Sequence, residues 1–281
     1  MKKHFFLTLD LEEWYHLDYF KDDNVSKESV MLKEIIPFFN MLDKYQIKIT
    51  VFVLAELIKV HSELIKKISN QGHEIAIHGW DHELLCNKSN KLFKQEIINA
   101  KTALENLTKQ NVIGYRAPCF SMDNEKLLIL EEIGLIYDSS YIQFNDHPLY
   151  GSLTLDSFKK IDDLVYKKNH FYEFELVTLN VFGKLIPISG GGYFRFFPSF
   201  IFSLLWQKFL KSHHNYIMYI HPFELTNKKV NLKGISKTKK LRFSLGRKNN
   251  LQNLENHIKK TLKQDFNFTT IRDYITNLEK N

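Results

Sequence analysis

The sequence predicts an α/β fold in which strands and helices alternate along one chain. Two observations carry this. Short apolar runs of strand length alternate with segments of helical periodicity, and the reactive polar clusters fall just past the C-terminal ends of the runs. In α/β barrels that end of the strands is where active sites are built. At 281 residues, with 44% hydrophobic and 25% charged side chains, the chain is long enough for one large α/β barrel or two smaller domains. It has no internal repeat and no linker, so a single domain over residues 1–281 is expected.

Taken in order, His4 to Leu9 is an apolar run suited to a buried strand, and Ser29 to Tyr45 carries helical spacing through Leu32, Ile35, Ile36, Phe39 and Leu42. Ile49 to Leu54 reads as a second strand and Ser62 to Asn70 as a short amphipathic helix stopped at Gly72. Glu74 to Ile77 is the third strand and delivers His78 at its end. A helix from Leu92 to Leu107, a strand from Val112 to Tyr115 and a helix from Asn124 to Ile133, capped by Gly134, continue the alternation. Leu135-Ile136 then leads into Tyr137-Asp138-Ser139-Ser140. The stretch from Gln143 to Leu185 is less regular, with a strand at Tyr172 to Leu176. Ser189-Gly190-Gly191-Gly192 marks a loop whose backbone needs unusual dihedrals or a close neighbour. Phe197 to Leu210 reads as one aromatic-rich helix directed to the core, and Tyr216 to Ile220 as a strand ending in His221-Pro222.

Composition narrows the function. Cys86 and Cys119 are the only cysteines, which leaves no disulfide framework or cysteine-based zinc site and suits reduced thiols in a cytoplasmic protein. Asp10, Glu12 and Glu13 interrupt the first apolar run too early for a signal peptide, and no run reaches the roughly 18 apolar residues of a membrane span. The net charge of +7 is concentrated: from Lys228 to Lys248 there are nine Lys or Arg and no acid. Such a run is a solvated basic loop or a contact for a pyrophosphate-linked substrate or an anionic membrane surface. No nucleic-acid-binding module accompanies it.

His78 and His82, four positions apart after a strand, can place two imidazole nitrogens on one divalent metal. A carboxylate from the first strand end would complete a two-His, one-carboxylate set with positions left for water and substrate. Zn is the default ion for such a set, and Co, Ni, Fe or Mn also suit it. Asp10 and Glu12 face one way if the strand is extended to them.

Five clusters, Asp10-Leu11-Glu12-Glu13, His78 with His82, Arg116-Ala117-Pro118, Asp138-Ser139-Ser140 and His221-Pro222, resemble in this order the five motifs of the polysaccharide deacetylase family, the NodB-homology carbohydrate esterases. Gly190-Gly191-Gly192-Tyr193-Phe194-Arg195, His221-Pro222-Phe223-Glu224, Leu241-Arg242-Phe243 and the Phe266 to Ile271 segment are similar to the exopolysaccharide-locus branch of that family. The resemblance implies a single-domain distorted (β/α) barrel of the NodB-homology type, one divalent metal and removal of an acetyl group from an amino sugar. It further implies Asp10 as general base, Glu12 as metal ligand with Glu13 as the alternative, and Arg116 as the group that holds the base ionised. His221 becomes the general acid and Asp138 the partner of its imidazole, while the backbone N–H of Cys119 would share the oxyanion. Tyr193, Trp80 and Tyr141 are candidate walls of the sugar pocket. The expected substrate is an N-acetylated sugar within reach of the cytoplasm, nucleotide-linked, lipid-linked or in an unexported glycan. An amidohydrolase on a small cyclic amide or imide, or a non-catalytic metal- or sugar-binding protein, would use the same residues.

Overall fold

Strands that are apolar on both faces need cover on both, and these runs accordingly form a parallel sheet wrapped by helices. The structure is a computed structural model that describes residues 2–143 and 149–280. Its first half alternates β1 (Lys3–Leu11), α1 (Ile36–Lys44), β2 (Thr50–Val53), α2 (Ile58–Asn70), β3 (Glu74–Ile77), α3 (Asn90–Thr108), β4 (Gly114–Tyr115), α4 (Asn124–Glu132) and β5 (Tyr137–Asp138). Next come β6 (Lys159–Asp162), β7 (Val165–Lys168), β8 (Phe171–Phe174), β9 (Thr178–Val181) and β10 (Lys184–Pro187). The chain ends with α5 (Gly191–Phe196), α6 (Ser199–Phe209), β11 (Asn215–Ile220), α7 (Pro222–Leu225), α8 (Lys237–Ser244), α9 (Asn250–Leu262), β12 (Phe266–Phe268) and α10 (Ile271–Glu279).

The sheet order is β11-β1-β2-β3-β4-β5-β8, every neighbouring pair parallel, with β7 and β6 added antiparallel at one end and β12 beside the start of β1. Between β8 and β11 the ring closes through single contacts instead of a ladder. Ser189 N–H donates to Val177 O at 3.3 Å, and Tyr219 N–H donates to Ser189 O at 2.9 Å. This is the distorted (β/α) barrel expected from the sequence. β2, β3 and β11 are buried at every residue, and one apolar core runs from Phe5 to Ile275 across sheet and helices.

The helix expected over Phe197 to Leu210 is α6, which starts just after Pro198. Two local expectations need correction. The helix expected over Ser29 to Tyr45 begins only at Ile36, because Pro37 fits the first helical turn and no later one. The glycines at 190–192 keep ordinary negative φ and form the entry to α5. Their smallness serves close approach: a Cβ on Gly191 would stand 2.1 Å from Glu224 Oε2. The irregular region contains the β6–β7 and β9–β10 hairpins, whose short alternating runs carried no clear signal. Its residues 144–148 lie outside the described residues.

Candidate active site

Asp10 sits near the end of β1, His78 just after β3, Arg116 just after β4 and His221 just after β11. Parallel register puts them at one rim: Leu11 pairs with Val53, Val53 with Ile77, and Ile77 with Tyr115. Arg116 is fully buried and spends its planar fork completely. Nη1 donates to Asp10 Oδ1 at 2.8 Å and Thr8 Oγ1 at 2.7 Å, while Nη2 and Nε donate to Ser139 Oγ and O. Its guanidinium also lies 4.1 Å from the Phe52 ring centre. One carboxylate oxygen of Asp10 is thereby fixed, and Oδ2 faces His221 Nε2 at 3.9 Å.

Glu12, His78 and His82 bring one ligand atom each within 4.8 Å of one another. His78 Nδ1 contacts Arg116 O at 2.9 Å, which makes Nδ1 the protonated nitrogen and leaves Nε2 a free lone pair. Glu12 Oε2 lies 3.0 Å from His82 Nε2 yet has no hydrogen-bond partner of acceptable geometry, a buried polar atom left open. Burial raises the Glu12 carboxyl, but the facing histidines, His82 foremost, hold it at about 2. Burial pulls His78 down to about 4, so it is a neutral ligand at physiological pH. Bonds of about 2.0–2.2 Å to one ion would gather these atoms with small side-chain movements, so the residues fit a divalent metal. Glu13 is engaged elsewhere: it accepts from Met31 N, Leu32 N and Ser29 Oγ.

The imidazole of His221 is oriented by Glu224, one turn along α7. Glu224 Oε2 accepts from the His221 backbone N–H at 3.0 Å and meets Nδ1 at 3.3 Å, and Oε1 receives Arg195 Nε at 3.1 Å. Burial lowers the His221 pKa, but Glu224, Glu12 and Asp10 together raise it to about 9. The expected Asp138 contact is therefore corrected. Asp138 pairs in register with Tyr115, one residue short of Arg116, and its carboxylate turns to Ser140 N and Oγ beside Glu173. Burial raises both of these carboxyls. The Asp138-Ser139-Ser140 segment still serves the site, since Ser139 holds Arg116 and Ser140 Oγ accepts from Ala117 N.

Residues 33–137 match the family model for polysaccharide deacetylase, and residues 139–276 match a domain of unknown function, DUF3473. Residues 33–137 carry a polysaccharide deacetylase domain. Among curated proteins it is 33% identical over 43% of its length to a peptidoglycan deacetylase-like protein of Gibberella zeae, and 30% identical over 43% to the peptidoglycan deacetylase of Helicobacter pylori. The matches span 35% and 41% of those two proteins. Among solved structures, a putative polysaccharide deacetylase from Mycobacterium smegmatis covers the whole chain, with 92% of its own length aligned, a TM-score of 0.64 and 17% identity.

The rim opens into two adjoining cavities. One, of about 210 Å³, is lined by Asp10, Glu12, His78, His82, Cys119 and His221 among others. The other, of about 520 Å³, is lined by Tyr19, Tyr150, Tyr193, Phe197, Arg195 and Glu224 among others. Tyr193 thus belongs to the larger cavity, while Trp80 and Tyr141 line neither. Cys119 has a left-handed φ of 49°, and burial pushes its thiol pKa well up, against a nucleophilic thiolate. Arg195 and Glu224 are the functional side chains that sequence reading left without a role. Their signal was present in the GGGYFR and HPFE strings, but only folding makes them neighbours.

Proposed function

We propose that this protein is a metal-dependent hydrolase that removes an N-acetyl or similar small acyl group from an amino sugar in surface-polysaccharide or glycan assembly. The observation that carries the reading is the position of His221. Its Nε2 lies 3.9 Å from Asp10 Oδ2 and 3.7 Å from Glu12 Oε1, so a base, a metal-binding set and a proton donor surround one small cavity.

Glu12, His78 and His82 would hold the ion, which when bound supplies an acidified water and polarises the amide carbonyl. Asp10, pinned by Arg116, takes the proton from the attacking water. As the C–N bond breaks, His221 gives its proton to the departing nitrogen, leaving acetate and a free amine. Glu224 holds His221 by Nδ1 and so directs Nε2 into the cavity. The backbone at Cys119 lines the same cavity and is the candidate donor to the developing oxyanion. Zn suits the ligand set best. The free thiols of Cys86 and Cys119 suit a reducing, cytoplasmic setting, which cell fractionation would test.

The test is acetate release from nucleotide-linked, lipid-linked and oligomeric N-acetylated sugars by metal-loaded protein, beside His78→Ala and Asp10→Asn. Release that disappears in both variants supports the reading. A tightly bound metal with no release from any substrate overturns it.

A further inference from the structure

His221 stands where the two cavities meet, and Leu17, Tyr19, Tyr219 and Arg242 line both as well. The smaller cavity is acidic, with Asp10, Glu12 and Asp18 in its wall. In the larger one the sole carboxylate among the described residues is Glu224, already spent on Arg195 and His221. Its volume of about 520 Å³ falls among pockets that enclose small ligands, roughly 300–1,000 Å³. The rings of Tyr193 and Phe197, 6.2 Å apart, offer apolar faces in its wall.

Arg242 is placed for a ligand. It belongs to α8 in the basic run, where three other cationic side chains have partners of their own. Lys239 pairs with Asp23 at 2.6 Å, Lys228 with Glu34 at 3.4 Å, and Arg247 is buried against the carbonyls of Phe223, Thr226 and Lys228. The Arg242 guanidinium lies 4.6 Å from the Tyr19 ring centre, and among the described residues no carboxylate comes within 4.0 Å of it. Its backbone is anchored, since Arg242 O accepts from Arg195 Nη2 at 2.9 Å. Beneath it, the hydroxyl of Tyr19 is buried with no hydrogen-bond partner among the described residues. A planar fork stacked on a ring and an unpaired phenol share one cavity wall, next to the proton donor. These are the groups that a carboxylate or phosphate takes up as paired, charge-assisted hydrogen bonds.

We infer that the larger cavity receives the group attached to the reacting sugar, and that Arg242 with the Tyr19 hydroxyl binds an anionic substituent there. The inference rests on the deacetylase reading and names its substrate class: an N-acetylated sugar joined to a carboxylate-bearing sugar or to phosphate. His221 then delivers its proton at the boundary between the two, where the leaving amine sits.

The experiment uses the full chain loaded with zinc and three probes: chitotetraose, a tetrasaccharide alternating N-acetylglucosamine with glucuronic acid, and UDP-N-acetylglucosamine. Calorimetry reads affinity, and acetate release is followed on the same samples. An anionic probe should bind about tenfold tighter than chitotetraose, an advantage that one charge-assisted contact supplies and that shrinks at about 0.5 M NaCl. In Arg242→Gln the ratio should fall below about threefold, and Tyr19→Phe should reduce it in part. Preference for the glucuronate tetrasaccharide identifies a carboxylate, and preference for the UDP sugar identifies phosphate. Equal affinity for all three probes, or an advantage unchanged in Arg242→Gln, overturns the inference. The salt dependence of the wild type decides the matter if the variants fold poorly. Acetate from chitotetraose without any anionic advantage removes the subsite and keeps the reaction. An anionic advantage without acetate from any probe removes the reaction and keeps the subsite.

Discussion

His221 is held by a carboxylate three residues away in its own turn, an arrangement that couples its imidazole to Arg195 and the glycine-rich entry of α5. Glu224→Gln should lower kcat by about 10- to 100-fold with KM changed less than about twofold, because the Glu224 carboxylate is spent on orienting His221 and on Arg195. Steady-state acetate release checks it, with thermal melts to confirm folding. The two adjacent glutamates separate just as sharply. Glu12→Gln should lose metal, by metal analysis of the purified protein, whereas Glu13→Gln should keep it and instead lose about 0.5–2 kcal/mol, because the single amide oxygen can serve only one of the Met31 and Leu32 N–H groups that the two carboxylate oxygens hold. Both acids follow β1 in the sequence, and nothing local distinguishes them. Only the turn at residues 31–34 folding back over Glu13 does so.

Elements, unlike single residues, were mostly legible, because a parallel strand buried on both faces must be an apolar run and a covering helix must be amphipathic. β3 falls on the expected residues, and α3 and α4 lie within two residues of theirs. The late start of α1 has a physical cause in one residue: Pro37 sets a helix start that periodicity ran past. The glycine segment is the telling case, since three glycines suggested a loop where the backbone is helical. Gly191→Ala should push Glu224 aside and cost about 1–3 kcal/mol together with most of the activity. Gly192→Ala is the control, because its Cβ would meet Glu224 Oε1 only at 3.9 Å. Urea melts and turnover of the two variants, side by side, check the pair.

At the scale of the molecule, the packing of α9 and α6 against β1 encloses His257 among the rings of Phe5, Phe194, Phe202 and Trp206. Burial, with Lys260 assisting, pulls its pKa to about 3, and burial likewise takes His73 to about 4. Both are neutral in the folded protein, while the unfolded chain takes up protons below its ordinary value of 6.5. Stability is therefore complete above that value and falls as pH drops towards the folded values, by about 2 kcal/mol for His257 alone at about pH 5. His257→Phe should flatten the decline of Tm between about pH 7 and 5, as thermal melts across that range would record. Metal removal acts on the same scale. If Glu12, His78 and His82 bind an ion in the folded state alone, chelation should lower Tm, with about 2.7 kcal/mol at stake when the ion stands at a hundred times its Kd.

The amino-acid sequence by itself determined the alternation of strands and helices and the strand-end addresses of Asp10, His78, Arg116 and His221, since each follows from periodicity and chain order along short segments, while the barrel followed from the resemblance of its ordered motifs. Which carboxylate serves which partner was decided by tertiary structure. Register set Asp138 opposite Tyr115 and Glu173, while the turn of α7 supplied Glu224 to His221. Closing the barrel through residues 176–190 brought Arg195 against Glu224. The anchoring of α8 set Arg242 over Tyr19. Contacts of this kind depend on side-chain direction across a closed ring, and a period of 2 or 3.6 carries no information about the residues that will lie opposite.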